Sequence, residues 1–151
     1  MSGGQRLNTS LVIIGDTTVL MFDCSGTPEK ALAEQGLSPP RIRHLFLTHS
    51  HPDHIYGLPS LIHVQRLTAK AGSSASLSLY ATPEVLDTVK KLLIAIFPDE
   101  VPAFVTFQPL SPPGCRVFPD MKLDYFRVPH GSSPSLGFRL QSRSSGSVVL
   151  F

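Results

Sequence analysis

The spacing of apolar residues along the chain alternates between the two-residue period of strands and the longer period of helices. Apolar runs at 10–14 and 18–22, separated by a Gly-Asp turn, predict a β-hairpin. A Thr-Pro-Glu start signal predicts a helix over 27–36. The apolar run 45–47 predicts a buried strand, and helical spacing over 55–67 predicts the next helix.

The remainder of the chain repeats this alternation and then changes to strands alone. A Gly/Ser-rich surface loop at 68–76 and a strand at 77–81 precede a second Thr-Pro-Glu signal, which begins a predicted helix over 82–97. Short strands follow, the first two around a Ser-Pro-Pro-Gly turn, at 105–107, 115–118, 123–128, 135–140 and 148–151. Strand, capped helix and strand again indicate an α/β protein built in layers.

Composition places the chain among soluble globular proteins. Its 151 residues, 42% hydrophobic and 16% charged, can bury a sizeable core and suit one domain. The net charge of +2 neither favours nor excludes a polyanionic substrate. No apolar stretch is long enough to span a bilayer, and the first residues lack the apolar core of a signal peptide. We therefore expect an intracellular, cytoplasmic protein with no membrane partner, whose two distant cysteines are free thiols.

Four groups able to bind a metal lie within six residues, directly after the strand predicted at 45–47: His49, His51, Asp53 and His54. In an extended segment, side chains at i and i+2 share a face, so His49 and His51 are expected to reach one ion together. Asp53 and His54 are adjacent, point in different directions and are expected to serve a second ion. Imidazole combined with carboxylate suits Zn²⁺, Mn²⁺ or Fe²⁺. The remaining histidines before residue 100, His44 and His63, fall outside this spacing and are predicted to be structural or exposed.

The segment 49–54 resembles the HxHxDH motif of the metallo-β-lactamase superfamily, and the Gly-Leu-Pro sequence at 57–59 is similar to the nuclease Z branch, the tRNA 3′-end-processing endonucleases. The resemblance implies an αββα sandwich, of which residues 1–151 would supply the N-terminal part as one incomplete domain. It also implies two zinc ions in the complete site, a metal-activated water, and a phosphodiester substrate such as a tRNA precursor.

The resemblance assigns further residues to this site. His130, at a strand end before a Gly/Ser/Pro loop, matches the third ligand of the first metal, although in isolation it would be read as a surface histidine. Asp53 would be a ligand of the second ion and a candidate proton acceptor, and hence the catalytic residue. Asp23, at the end of the second strand, either caps the following turn or, as the resemblance implies, orients the ligand loop by hydrogen bonds.

The chain also departs from the family pattern. The aspartate that would bridge both metals and the last histidine of the second metal have no counterpart before Phe151. We therefore expect the sheets to be completed by a missing C-terminal segment or by a homodimer. Two alternatives stay open: another hydrolase of the superfamily, such as a cyclic-nucleotide phosphodiesterase, lactonase or thioesterase, and a truncated, non-catalytic form that binds metal or a partner.

Overall fold

The strands predicted from the hydrophobic pattern form two β-sheets. The computed structural model describes residues 9–68, 76–98, 104–142 and 146–150. The first sheet contains β1 Leu11–Ile14, β2 Val19–Phe22, β3 His44–Phe46, β4 Leu77–Ala81 and β5 Val105–Pro109 in this spatial order, and the second contains β6 Gly114–Val117, β7 Met121–Val128, β8 Ser135–Ser142 and β9 Gly146–Leu150. The helices are α1 Pro28–Glu34, α2 Pro52–Ile55, α3 Leu58–Thr68 and α4 Pro83–Ile96, with a short 3₁₀ turn at Pro39–Arg41. Most of the loop predicted at 68–76 and the terminal Phe151 lie outside the described residues.

The first sheet combines a hairpin with parallel strands. β1 and β2 pair antiparallel, as predicted, and the amide of Gly15 donates to the Thr18 carbonyl at 2.8 Å to close the turn. β2, β3, β4 and β5 are parallel, and helices connect β3 to β4 and β4 to β5. All four residues of β2 are buried, because this strand is covered on both faces. Parallel strands that end at one edge bring the loops after them together, and this edge holds the metal-binding motif.

The helix predicted over 55–67 is present over most of that range as α3, but it begins at Leu58, because Ile55 ends the separate short helix α2 and the two helices are divided at Gly57. The Gly57 amide donates to the Cys24 carbonyl at 2.8 Å. A Cβ at residue 57 would lie 2.8 Å from Cδ of Pro28 and 3.0 Å from the Ser25 carbonyl oxygen. Only glycine allows the backbone to approach the loop after β2 this closely. The break therefore fastens the short helix α2, which carries Asp53 and His54, to the end of β2.

The Ser-Pro-Pro-Gly turn lies between the last strand of the first sheet and the first strand of the second. The strands on either side of it, β5 and β6, do not pair with each other: β5 is the edge of the first sheet, and β6 pairs antiparallel with β7 in the second. The turn thus carries the chain from one sheet to the other. β7 and β8 pair over eight residues, and inward-facing buried positions alternate with half-buried ones along β7. Such alternation is expected of an antiparallel sheet with one face in the core.

Two apolar clusters hold these layers together. One lies between the helices and the first sheet and includes Leu45, Leu58 and Leu79. The other lies between the two sheets, where the rings of Phe46 and Tyr80 stack with centroids 4.4 Å apart. Helix layer, sheet and second sheet confirm the expected αββα type of sandwich, of which this chain supplies part. None of the described helices combines the length and apolarity needed to cross a membrane.

Candidate metal centre

The metal-binding motif follows β3 and is fixed against its neighbour β2. The Asp23 amide, directly after β2, donates to the Phe46 carbonyl at 2.8 Å, and the Leu47 amide donates to the Tyr80 carbonyl of β4 at 2.9 Å. His51 then adopts extended backbone angles as the N-cap of α2. The loop is therefore held from both sides by parallel neighbours before it enters the helix. Its histidines accordingly start from well-fixed backbone.

Three imidazole rings converge at this strand edge. The candidate ligand nitrogens of His49, His51 and His130 all lie within 4.8 Å of one another. Nδ1 of His51 is 3.0 Å from Nε2 of His49 and 3.3 Å from Nε2 of His130. Tetrahedral zinc with Zn–N bonds of about 2.0–2.1 Å would place its ligand nitrogens about 3.3–3.4 Å apart. The two distances from His51 Nδ1 are close to this spacing, so the three nitrogens are near enough to share one ion. Their role as ligands remains a prediction.

Asp53 and His54 form a second pair of donors beside this cluster. Nε2 of His54 is 3.4 Å from Oδ2 of Asp53, and the His54 ring centroid lies 4.0 Å from that of His49. The Asp53 carboxylate is largely exposed, whereas His49 is buried. The structure thus brings together all five residues that the motif and the resemblance proposed as metal ligands.

The side chain of Asp23 holds the metal-binding loop in place by hydrogen bonds. Its buried carboxylate accepts hydrogen bonds from the amide of Thr48 at 2.8 Å, from the Thr48 hydroxyl at 2.9 Å and from Nδ1 of His54 at 2.8 Å. The Asp23 backbone adopts a positive φ of 54°, which places it at the sharp turn after β2. These contacts support the loop-orienting role of Asp23 rather than a turn cap. Because His54 donates through Nδ1, its neutral form has the Nε2 lone pair on the side of Asp53.

Thr48 and Ser133 were not identified from the sequence, yet their hydroxyls contact the outer nitrogens of the histidine cluster. Oγ1 of Thr48 lies 2.8 Å from Nδ1 of His49. Since this hydroxyl donates its proton to Asp23, it accepts from the His49 Nδ1–H and leaves Nε2 free to bind a metal. Oγ of Ser133 lies 3.4 Å from Nε2 of His51. The available signal was a hydroxyl residue directly before the first histidine of the motif.

The surroundings of His49 and His54 shift the pKa values of these two imidazoles in opposite directions. Burial lowers the pKa of His49 to about 4, with further lowering from the neighbouring histidines. The hydrogen bond to Asp23 raises the pKa of His54 and outweighs the opposing effect of burial. His49 is therefore held in the neutral form that a metal requires over most of the pH range.

A cavity of about 330 Å³ opens beside the cluster, with apolar walls from Val128, Pro129 and Leu136. The amide of Leu136 donates to the Thr48 carbonyl at 2.9 Å, so the second sheet is tied to the ligand loop.

The two histidines predicted to lie outside the site do so. His44 contacts the Tyr80 hydroxyl at 3.1 Å through Nδ1, and His63 is exposed and stacks parallel to Phe97.

A two-sheet sandwich with a histidine cluster and an Asp–His pair at one strand edge defines a metal-binding protein of the αββα class. The family model of the Metallo-beta-lactamase superfamily matches residues 3–118. The chain belongs to this superfamily.

Comparisons with individual proteins support the nuclease Z-like branch. The chain is 31% identical over 135 residues to ribonuclease Z of Pyrococcus abyssi and 29% identical over 139 residues to ribonuclease Z of a Bradyrhizobium species. These alignments cover 89% and 91% of this chain but 42% and 45% of the relatives, so the chain spans less than half their length. The crystal structure of human tRNase Z, short form, shares the fold with a TM-score of 0.69 at 21% identity, over 94% of this chain and 61% of that one.

Proposed function

We propose that this chain is part of a metal-dependent phosphodiesterase, an endoribonuclease of the nuclease Z type that acts on tRNA precursors. The observation that carries the proposal is the convergence of His49, His51 and His130 beside the Asp53–His54 pair. The ribonuclease Z relatives supply the substrate class, because fold alone does not determine chemistry.

His49, His51 and His130 would hold the first ion, and Asp53 with His54 would contribute to a second. Three imidazole nitrogens within reach of one another favour Zn²⁺, whereas the added carboxylate also suits Mn²⁺ or Fe²⁺. A divalent ion bound there would supply Lewis-acid polarisation of a phosphoryl oxygen and lower the pKa of water.

The chain's own residues would position the substrate and move the proton. The exposed Asp53 carboxylate faces Nε2 of His54 and can accept a proton at Oδ2 from an attacking water. The Asp23–Thr48 hydrogen bonds keep the loop that carries these donors in place. Val128 and Leu136 line the adjoining cavity with apolar surface, which would exclude bulk water from one side of the scissile phosphate.

The proposal is tested in the full-length protein by replacing Asp53 with alanine. We expect hydrolysis of bis(p-nitrophenyl) phosphate and 3′-end cleavage of a tRNA precursor to fall at least about 100-fold, as loss of a catalytic acid–base group typically causes. The circular dichroism spectrum should be unchanged, because the Asp53 side chain is exposed.

The matched control is Asp87→Ala, which removes an exposed carboxylate from α4, where it pairs with Lys91 on the surface. Its turnover should equal that of the unmodified protein. Full turnover in Asp53→Ala would place the chemistry elsewhere. Hydrolysis of a lactone or thioester without any phosphodiester cleavage would instead favour another hydrolase of the superfamily.

A further inference from the structure

A second cavity lies at the opposite end of the parallel strands from the histidine cluster. Its volume is about 490 Å³, within the range of about 300–1,000 Å³ that is typical of small-molecule sites. It opens where β2 and β3 begin, and its polar and aromatic lining comprises Thr17, Thr18, Arg41, Arg43, His44 and Phe118. His44 is five residues before His49 along the chain, and at about 3.3 Å per residue the two sites lie roughly 16 Å apart.

The lining carries two positive charges. Arg41 ends the 3₁₀ turn and Arg43 precedes β3, and both side chains are exposed. Among the described residues, neither guanidinium has a carboxylate within salt-bridge distance. Arginine presents a planar set of N–H donors that matches two oxygens of a phosphate group. The two residues therefore offer unused donors of the kind that bind phosphate.

One carboxylate, Asp120, adjoins the lining residue Pro119 and is engaged by two further residues of the lining. Its Oδ2 accepts from the amides of Thr17 and Thr18 at 3.0 and 3.2 Å. This carboxylate thus fastens the turn between β1 and β2 to the start of β7. The lining itself contains two arginines and no acidic residue, so its charge favours an anion.

Aromatic rings form the other side of the cavity. The rings of His44 and Phe118 meet edge to face with centroids 5.0 Å apart. His44 is held by the Tyr80 hydroxyl, and the guanidinium of Arg116 lies 5.3 Å over the Tyr80 ring. Phe118 is half-buried, so part of its side chain remains accessible. An aromatic ring beside arginines is the combination on which nucleic-acid bases stack while their phosphates are neutralised.

We propose that this cavity binds a nucleotide phosphate, either a free mononucleotide or one unit of an RNA strand. Arg41 and Arg43 contact the phosphate, and Phe118 packs against the base. The site uses no residue of the histidine cluster, so this proposal can be tested independently of the proposed hydrolytic function.

Amide NMR of the ¹⁵N-labelled chain tests the proposal residue by residue. Four ligands are titrated separately to millimolar concentration: adenosine monophosphate, adenosine, inorganic phosphate and a single-stranded oligoribonucleotide. We expect adenosine monophosphate or the oligoribonucleotide to shift the amide signals of Thr17, Thr18 and His44, and to bind more tightly than adenosine or phosphate alone. The tighter of the two phosphorylated ligands distinguishes a free nucleotide from an RNA strand.

Charge-neutralising variants provide the control. Arg41→Gln/Arg43→Gln should weaken binding at least about tenfold, since hydrogen bonds between a guanidinium and a phosphate join two charged groups and are stronger than neutral ones. Lys90→Gln/Lys91→Gln removes the same charge from the distant helix α4 and should leave affinity unchanged. The proposal is overturned if neither phosphorylated ligand shifts these amides, if adenosine binds equally well, if both double variants weaken binding equally, or if shifts are confined to residues around Thr48 and His130.

Discussion

The replacement of Thr48 by valine tests whether one hydroxyl controls the metal centre. Valine keeps the shape of threonine but removes Oγ1, which donates to the Asp23 carboxylate at 2.9 Å and lies 2.8 Å from Nδ1 of His49. The variant would therefore leave the buried His49 Nδ1–H without its acceptor, and Asp23 with one donor fewer. Because the other bonds of Asp23, to the Thr48 amide and to His54, remain, we expect the loop to persist in a weakened form.

The structure sets the size of both effects. Thr48 is buried, so water cannot replace the lost partners. A buried donor left unsatisfied costs about 1–3 kcal/mol, and a lost hydrogen bond to a charged group costs about 1.5–3 kcal/mol. We expect the free energy of unfolding of the metal-free chain to fall by about 2.5–6 kcal/mol, the sum of the two costs. Zinc affinity should fall about 10–100-fold, as is typical when a group that orients a ligand histidine is removed.

Urea denaturation measures the first quantity, and competition with a chromophoric chelator for Zn²⁺ measures the second. Thr48→Ser is the matched control, because it keeps the hydroxyl and loses only a methyl group, worth about 0.8 kcal/mol. Serine should therefore restore zinc affinity. Equal affinity and equal stability in the valine and serine variants would refute the role assigned to this hydroxyl.

Two further predictions concern the histidines. His51→Ala should weaken zinc binding well beyond tenfold, since this change removes a predicted ligand rather than a neighbour of one. The control His63→Ala should bind zinc normally, because His63 is exposed and lies outside the cluster. Unchanged zinc content in His51→Ala would exclude His51 as a ligand. The metal-free chain should lose stability as the pH falls from about 6.5 to about 4, because the lowered pKa of His49 means that the unfolded state binds this proton more readily. Urea denaturation across this range should show a shallower pH dependence in His49→Gln, because the raised pKa of His54 changes stability mainly above about pH 6.5. An unchanged dependence would count against a buried, neutral His49.

Local signals in the sequence determined much of the fold. Proline at the first helical position marked the starts of α1 and α4, and a Gly-Asp turn marked the β1–β2 hairpin. These signals act over a few residues, through fixed φ angles and caps, and tertiary context did not override them. The proximity of His49 and His51 could be predicted for the same reason, because residues two apart in extended chain share a face.

Other features depended on contacts between distant segments. Pro59 gives a local signal for the helix break at Gly57, but the close packing of Gly57 against the loop after β2 is a contact between distant segments that local spacing does not report. The turn sequence between β5 and β6 likewise gave no indication that these two strands belong to different sheets. A turn sequence specifies the reversal of the chain, but the sheet that a strand joins depends on where its apolar face can be buried.

The candidate site shows the same division. The sequence by itself placed four metal-binding side chains within six residues and, through a family resemblance, nominated His130 and Asp23. Only the tertiary structure decided that His130, 79 residues beyond His51, reaches the same point, and that the Thr48 hydroxyl lies between Asp23 and His49. Local spacing determines which side chains are available, whereas the packing of the two sheets determines which of them meet, because His130 follows β7 and reaches the loop after β3 only when the sheets pack together.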